Sequence, residues 1–253
     1  SVRFVLLSAT AGGATREMHC RFGETNAASL PDALSDGGDR SSWYPLRVSP
    51  ALLHKISGED LSVPDARTPV DLALVERAAE ICPALGAADG WQVHFGRELN
   101  ATEDSDVLRQ HDAGLPVLEG KLIEPFRARV DLVRWRIAPD AAAERIGPRA
   151  ARPRLAYRDV ASATNRVTLI AALLPAHTAS THTLFCLKEE LPLDAQQVLC
   201  ALFNSLVVNF FVRMRVSIHV TASIVERLPV PTADRVGPWW GELAEGAALL
   251  SRE

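Results

Sequence analysis

From Leu115 to Trp135 the chain reads LPVLEGKLIEPFRARVDLVRW, and Glu119-Gly120-Lys121 sits between two apolar runs. A carboxylate, a glycine and a lysine in that order suit three chemistries: a phosphate-cradling loop, a metal-dependent nuclease, or a grip on a nucleic-acid backbone. A phosphate loop needs Gly, four residues, then Gly-Lys and a hydroxyl that binds magnesium. Here five residues separate Gly114 from Gly120, and Leu122 replaces the hydroxyl, so that chemistry is excluded. A nuclease of this type places an Asp upstream of Glu-x-Lys; the carboxylates hold magnesium and the lysine orients the attacking water. On a strand, Glu119 and Lys121 would share a face. Asp106 or Asp112 would supply the upstream carboxylate, but neither lies in an apolar strand. The nuclease therefore stands as an alternative behind the backbone grip.

Other catalytic signatures are missing. No two glycines are separated by one residue and no Gly-x-Ser-x-Gly elbow occurs, which removes the dinucleotide fingerprint and the commonest hydrolase motif. Cys20, Cys82, Cys186 and Cys200 form no Cys-x-x-Cys pair and have no His at zinc-ligand spacing. They read as buried free thiols of a reducing cytoplasm. His19, His54, His94, His111, His177, His182 and His219 are scattered; His177 and His182 flank a Thr/Ser-rich turn with no acid or thiol close by, and the histidines read as surface or loop residues. No apolar run approaches the roughly 18 residues of a membrane span, and the N-terminus lacks a signal-peptide pattern. The expectation is a cytoplasmic bacterial protein with no membrane partner.

The net charge of −4 conceals an uneven distribution. Residues 1–120 carry 10 Lys/Arg and 18 Asp/Glu, residues 121–158 carry 10 and 4, and residues 159–253 carry 7 and 9. Net positive charge is thus confined to under a sixth of the chain, beginning at Lys121. Such a block fits an anionic partner if it folds onto one surface. A solvated, Arg-rich surface is the plainer alternative.

The elements that must position these residues follow from pattern and punctuation. RFVLLSA (3–9) and EMHCRFG (17–23) read as a hairpin with glycines at the turn, and SLPDALSDGGDRSSW (29–43) as a loop. Ser49-Pro50 and Thr68-Pro69 each read as a cap and first helical residue, with Asp71 completing a capping box. The second helix shows a broad apolar face of Val70, Leu72, Leu74, Val75, Ala78 and Ala79, and Pro83 ends it. WQVHFGREL alternates as a strand, and TEDSDVLRQ reads as a short helix capped by Thr102. DLVRWRIA, RLAYRDVAS, RVTLIAALLP and HTLFCLKEE are further strands, and PDAAAERIGPRAARP is a loop or short helix. DAQQVLCALFNSLVVNFFVRMRV, capped by Asp194, reads as one long buried helix, ERLPVP as an extended exit and VGPWWGELAEGAALLSRE as a final amphipathic helix. Without regular βαβ alternation, the fold class is α+β: mixed, mostly antiparallel sheets, a long buried C-terminal helix and additional peripheral helices. Residues 1–90 form an N-terminal strand and helix part and residues 91–253 a core, with a single domain as the alternative.

The order of motifs is similar to a known family. WQVHFGRELNATEDSD, LPVLEGKLIEPF, RLAYRDVASATNRVTLIAALLP and ALFNSLVVNFFVRMRVSIHVTASIVERLPVP follow one another from Trp91. Their markers are Glu119-Gly120-Lys121, Phe126, Arg158-Asp159, Thr164-Asn165, Thr168, Pro175, Asn204-Ser205, Arg213 and Leu228-Pro229-x-Pro231. This order resembles the C-terminal target-recognition region, with a TaqI-like specificity domain, of N6-adenine DNA methyltransferases. Type IIG restriction–modification enzymes and BREX-type phage-defence methyltransferases belong to that group. The resemblance extends over roughly Arg3 to Pro231, more loosely before Trp91. It implies a double-stranded DNA partner and a covalently linked upstream methyltransferase domain that binds S-adenosylmethionine and flips adenine. This chain contains no Pro-Pro dipeptide for an Asn-Pro-Pro-Tyr-type loop. It is therefore expected to be a non-catalytic piece of a longer enzyme, without a cofactor of its own.

DNA affinity rests on phosphate contacts and sequence discrimination on base edges. The candidate contacts are Lys121, Arg127, Arg129, Arg134, Arg136, Arg158, Asn165, Arg166, Thr168, Arg213 and Arg215. Each has a plainer role: arginine stems packed on apolar neighbours, an Arg158–Asp159 structural pair, a simple turn at residues 165–168, or Arg213 and Arg215 complementing a helix dipole. Asn204-Ser205, inside an apolar run, fits helix packing better than DNA contact. A protein-interaction module, with the long helix and PWWGELAEGAALL docking partner helices, is the remaining alternative.

Overall fold

The computed structural model describes residues 6–23, 46–110, 113–161, 166–216 and 218–252. The chain divides into two compact units, residues 1–73 and 74–253. In the first, β1 (Met18–Cys20) pairs antiparallel with β2 (Leu46–Val48). The expected hairpin partner is therefore replaced: residues 6–10 form no strand, and β1 finds its ladder later in the chain. The loop at residues 29–43 lies outside the described residues. Helix α1 (Pro50–Ser57) starts as the sequence dictates, with Ser49 Oγ accepting the Leu52 N–H at 3.1 Å. Helix α2 (Pro69–Ile81) begins on a capping box, since Asp71 Oδ2 accepts the Thr68 N–H and Thr68 Oγ1 accepts the Asp71 N–H. Its apolar face is narrower than expected: Leu72 and Val75 are buried, while Val70 and Leu74 are exposed.

The second unit is built from short strands. They are β3 (Phe95–Gly96), β4 (Leu108–Arg109), β5 (Leu115–Leu118), β6 (Ile123–Glu124), β7 (Arg127–Ala128), β8 (Trp135–Ile137), β9 (Arg154–Arg158), β10 (Ala171–Leu174), β11 (Ala179–Ser180) and β12 (Leu184–Leu187). Its further helices are α3 (Pro139–Ile146), α4 (Leu193–Asn204), α5 (Leu206–Arg213), α6 (Ala222–Glu226), α7 (Ala233–Val236) and α8 (Trp240–Arg252). One four-stranded sheet runs β10-β9-β12-β3 and a second runs β11-β5-β8-β4, while β6 and β7 form a separate ribbon. All pairings are antiparallel except β11 with β5. The architecture is α+β.

Register assigns the faces of the first sheet. Tyr157 pairs with Phe185, and Ala156 with Cys186, so alternate residues point to opposite sides. Tyr157 and Phe95 meet Phe203 of α4, with ring centroids 6.3 and 5.7 Å away. On the other side Ala156, Ala172, Leu174, Leu184 and Cys186 pack on Leu118, Leu122 and Ile123, which lead out of the second sheet. The far side of that second sheet packs Val117 and Ile137 against Ala142 and Ile146 of α3. The layers are thus helix, sheet, sheet, helix. Helix α8 adds to the outer layer: Ala244 packs with Val198 of α4, Trp240 stacks on Trp91 at 5.8 Å, and the Trp240 indole donates to Asp194. One apolar side of the segment proposed for partner docking is therefore spent within the chain.

Two expectations about elements change. TEDSDVLRQ forms a turn followed by β4, because Asn100 caps it in place of Thr102. Asn100 Oδ1 accepts the Thr102 N–H, and Asp104 Oδ2 accepts the Asn100 N–H. The long apolar segment is helical but broken at Ser205, where α4 and α5 diverge by 60°. Ser205 takes up extended backbone and caps α5, its Oγ accepting the Val208 N–H. The flanking amides hold the break. Asn204 bonds both the N–H and the carbonyl of Ala171, and Asn209 Oδ1 accepts the N–H groups of Thr168 and Leu169. These side chains satisfy the edge of β10 and the turn before it, which apolar residues in a straight helix would leave unpaired. Among the described residues no single helix is long and apolar enough to cross a membrane.

The two sheets are joined by a buried ion pair. Arg154 of β9 is 1% exposed and grips Glu98 with its Nε and Nη2 at 2.6 and 2.7 Å. The Arg154 guanidinium also donates to the Thr178 carbonyl, and Ser180 Oγ of β11 donates to Glu98. Burial is the largest single influence on Arg154 and works against its charge, but Glu98 and Cys186 together outweigh it and raise the pKa. Removing one partner leaves a buried charge without compensation. Glu98→Leu and Arg154→Met should each cost about 3–5 kcal/mol, and the double variant should recover much of that. Urea unfolding of the three variants tests this; additive losses would contradict it.

Candidate nucleic-acid interface

Strand β5 ends at Leu118, Glu119 remains extended, and Gly120–Leu122 makes a single 3₁₀ turn. Glu119 and Lys121 therefore do not alternate along a strand, as the nuclease geometry requires. Instead Lys121 Nζ reaches back to Glu119 Oε2 at 2.9 Å, with the lysine side chain 68% exposed. Asp106 is exposed in the turn before β4, and Asp112 lies outside the described residues. Among the described residues, no three His, Cys, Asp or Glu side chains come together as a metal-binding group.

Gly120 is fixed by contact rather than by torsion. Its N–H donates to Thr183 Oγ1 at 2.7 Å, and a Cβ at this position would sit 2.9 Å from the Thr183 carbonyl oxygen. Leu122 fills the core below, so the turn lifts Lys121 outward. Arg158 then braces the turn. Its Nη2 donates to the carbonyls of Ile123 and, at 3.4 Å, Lys121, and burial lowers its pKa. Arg158 is thus a positioning group rather than an outward cation. The expected Arg158–Asp159 pair does not form: β9 ends at Arg158, whose guanidinium is taken by backbone carbonyls. Asp159 instead accepts from Arg97 Nη2 at 2.8 Å and from His219 Nδ1 at 3.2 Å.

The ribbon β6–β7 stands beside this turn. Its tip is Pro125-Phe126, and Phe126 adopts φ +72°, which lets its N–H reach the Ala171 carbonyl at 2.8 Å. Arg127 leaves the tip in β7, and the Arg129 N–H bonds the Leu122 carbonyl, which sets Arg129 next to Lys121. The Arg129 guanidinium forks onto exposed Asp131 at 3.1 and 3.3 Å; that hydrogen bond raises the arginine pKa and lowers the aspartate pKa. Arg134 is exposed and lies over the Trp135 ring at 4.9 Å. Because Trp135 pairs with Val117, Arg134 falls at the end of β5 from which Lys121 follows.

The remaining candidates divide. Arg166 and Arg213 meet at the same end of β9 and β10, Arg213 Nη2 donating to the Arg166 carbonyl at 3.0 Å and its Nε to Thr168 Oγ1 at 3.5 Å. Thr168 is fully buried, with its N–H on Asn209, so it builds the turn. Arg136 sits farther along β8, opposite Pro116, and donates to the Gly114 carbonyl. Arg215 is turned inward to the Arg227 carbonyl; burial and then Arg227 lower its pKa to about 10. Asn165 lies outside the described residues. The structure therefore gathers Lys121, Arg129, Arg134, Arg158, Arg166 and Arg213 at one end of the sheets, with Arg127 in the adjoining ribbon, and leaves Arg136 and Arg215 away from it.

Sequence reasoning missed Arg97 and His219. Both are about half exposed and both lean on Asp159, which is 4% exposed. They lie 62 and 60 residues from it, so no local pattern announces the cluster. The four cysteines are free thiols; Cys186 and Cys200 are buried, which pushes each thiol up to about 12, while Cys20 and Cys82 are partly exposed.

No protein-family model and no curated protein matches this chain. Among solved structures it is similar, at a TM-score of 0.34 and 13% identity, to a chain from a study of complex assembly and conformational transition in the type I restriction–modification (R-M) system. The match covers 88% of this chain and 62% of that one.

The close approach at Gly120 makes one substitution diagnostic. Gly120→Ala should destabilise the second unit by about 1–3 kcal/mol, because Thr183 must give way. Gly147→Ala, where nothing lies within 4 Å but φ is +69°, tests backbone strain without that clash. Denaturant midpoints of both variants distinguish packing from torsion.

Proposed function

We propose that this chain is a DNA target-recognition domain of a restriction–modification enzyme, without catalytic activity of its own. The observation that carries this reading is the convergence of cations from separate segments on one end of the sheets. Lys121 comes from the turn after β5, Arg134 from the approach to β8, Arg166 from the approach to β10, and Arg213 from the end of α5. Sheet ends hold such groups in fixed relative positions while the intervening loops vary, which is what reading different DNA sequences on one scaffold requires. Lys121 rests on the Glu119 carboxylate, Arg134 on the Trp135 ring and Arg213 on the Arg166 carbonyl. The Lys121 side chain is largely exposed, so its ammonium can take a phosphate while Glu119 holds it in place.

The finer reading follows the motif order from Glu119-Gly120-Lys121 to Leu228-Pro229-x-Pro231. The parent is an N6-adenine DNA methyltransferase of the type IIG or phage-defence kind. Its upstream domain binds S-adenosylmethionine and holds the flipped adenine, and this domain holds the duplex against it. Lys121 contributes a phosphate contact and Glu119 orients it.

Duplex binding should weaken steeply with salt. Lys121→Ala should lower the slope of log affinity against log salt by about 0.9, the share of one phosphate contact. An unchanged slope and affinity would make Lys121 purely structural. Magnesium should not induce cutting; cleavage abolished by Glu119→Ala would establish a nuclease instead. Salt-insensitive association with a protein, and no duplex affinity, would favour an interaction module.

A further inference from the structure

Asp159 sits at the bend that follows β9, and the Arg97 it holds lies over Phe185, which pairs with Tyr157 on the face away from Arg158. It is almost wholly buried, and its two oxygens are divided between two half-exposed side chains. Arg97 gives Nη2 to one oxygen, and its guanidinium lies over the Phe185 ring at 5.0 Å. A guanidinium held by a carboxylate and an aromatic ring has lost most of its freedom, while its remaining N–H groups stay exposed. His219 gives Nδ1 to the other oxygen. A carboxylate only accepts, so Nδ1 carries the hydrogen and Nε2 is the outward nitrogen. Chain pairing holds the imidazole there: the Val220 N–H bonds the Asp159 carbonyl, and the Ala161 N–H bonds the Ile218 carbonyl.

This pair is joined to the Lys121 turn through one residue. The Thr183 carbonyl accepts the Asp159 N–H at 3.0 Å, and Thr183 Oγ1 accepts the Gly120 N–H at 2.7 Å. Lys121 and the Arg97–His219 pair therefore flank the same sheet end, one on each face.

We infer that Arg97 and His219, oriented by Asp159, bind a phosphodiester phosphate and carry the nucleic-acid interface around the sheet end, beyond the basic segment that begins at Lys121. Arg97 donates through the guanidinium edge turned away from Asp159, and protonated His219 donates through Nε2. This inference rests on the DNA-binding reading for its ligand, but the pair is a distinct contact.

The test uses the full chain, in parallel series at about pH 6 and about pH 8. Duplex affinity is measured across a salt series for the wild type, Arg97→Gln, His219→Gln and Lys121→Ala, each checked for an unchanged thermal transition. Each of the first two variants should lower the salt slope by up to about 0.9, as a phosphate contact additional to that of Lys121. If Arg97→Gln and His219→Gln keep the wild-type slope and affinity while Lys121→Ala loses both, the pair is structural and the DNA reading stands. If the wild type does not bind duplex at all, inorganic phosphate is titrated and the His219 ring resonances are followed. A saturable shift that Arg97→Gln removes would support the anion site and sink the DNA reading; flat resonances would overturn both. The flat-resonance outcome is read on the wild type alone, and the unchanged thermal transition of Arg97→Gln guards the comparison in the other arm.

Discussion

The bidentate grip of Arg154 on Glu98 is the constraint from which the rest of the second unit follows. Neither side chain is accessible, so both charges forgo water and each depends on the other. The pair draws β9, the segment after β3 and β11 into one register, since Thr178 and Ser180 supply the remaining bonds. A well-packed apolar pair would hold the sheets together as firmly, but it would tolerate a slip. A forked guanidinium tolerates no slip, because moving β9 by one residue would strand both charges. With β9 fixed, Arg158 and Asp159 emerge at a defined end, one to each face.

That arithmetic changes the meaning of the basic segment. Ten cations lie between residues 121 and 158, yet a good part of them is engaged by the chain itself. Arg154 is the inter-sheet clamp, Arg158 braces the Lys121 turn, Arg152 donates to the Lys188 carbonyl and pairs with Glu190, and Arg149 bonds the Ile146 carbonyl. Lys121 and Arg134 are the members that stand most openly at the sheet end. Charge density along the chain therefore overstates the charge available to a partner, and Arg97 and His219 lie outside the segment altogether.

The sequence was most legible where a local rule decides. Ser49, and Thr68 with Asp71, cap their helices as their spacing requires, and the strands around Tyr157 and Phe185 follow from short apolar runs. The fold class followed from the mixture of these elements. Legibility failed where a side chain reaches far along the chain. The break at Ser205 lies inside an unbroken apolar period, and its reason is that Asn204 and Asn209 serve the backbone of residues 168–171. β1 finds its partner at residues 46–48, past the nearer segment that local turn signals suggested. The Glu119–Lys121 spacing suggested a strand, but the bond from Gly120 to Thr183 turns it into a 3₁₀ turn. Asp159 adjoins Arg158 in sequence, but its partners Arg97 and His219 lie 62 and 60 residues away.

Thr183 has a further consequence for energetics. Its hydroxyl and its carbonyl secure different faces of the sheet end, and the hydroxyl also meets Thr181 Oγ1 at 2.7 Å. A displacement of the turn on one face is thereby transmitted to the backbone that carries the buried carboxylate on the other. Groups linked through one shared bond network do not contribute independently, and their double-mutant cycles do not close to zero. The two faces of this rim thus share one hydrogen-bonded residue, and a substitution at Thr183 reaches both of them.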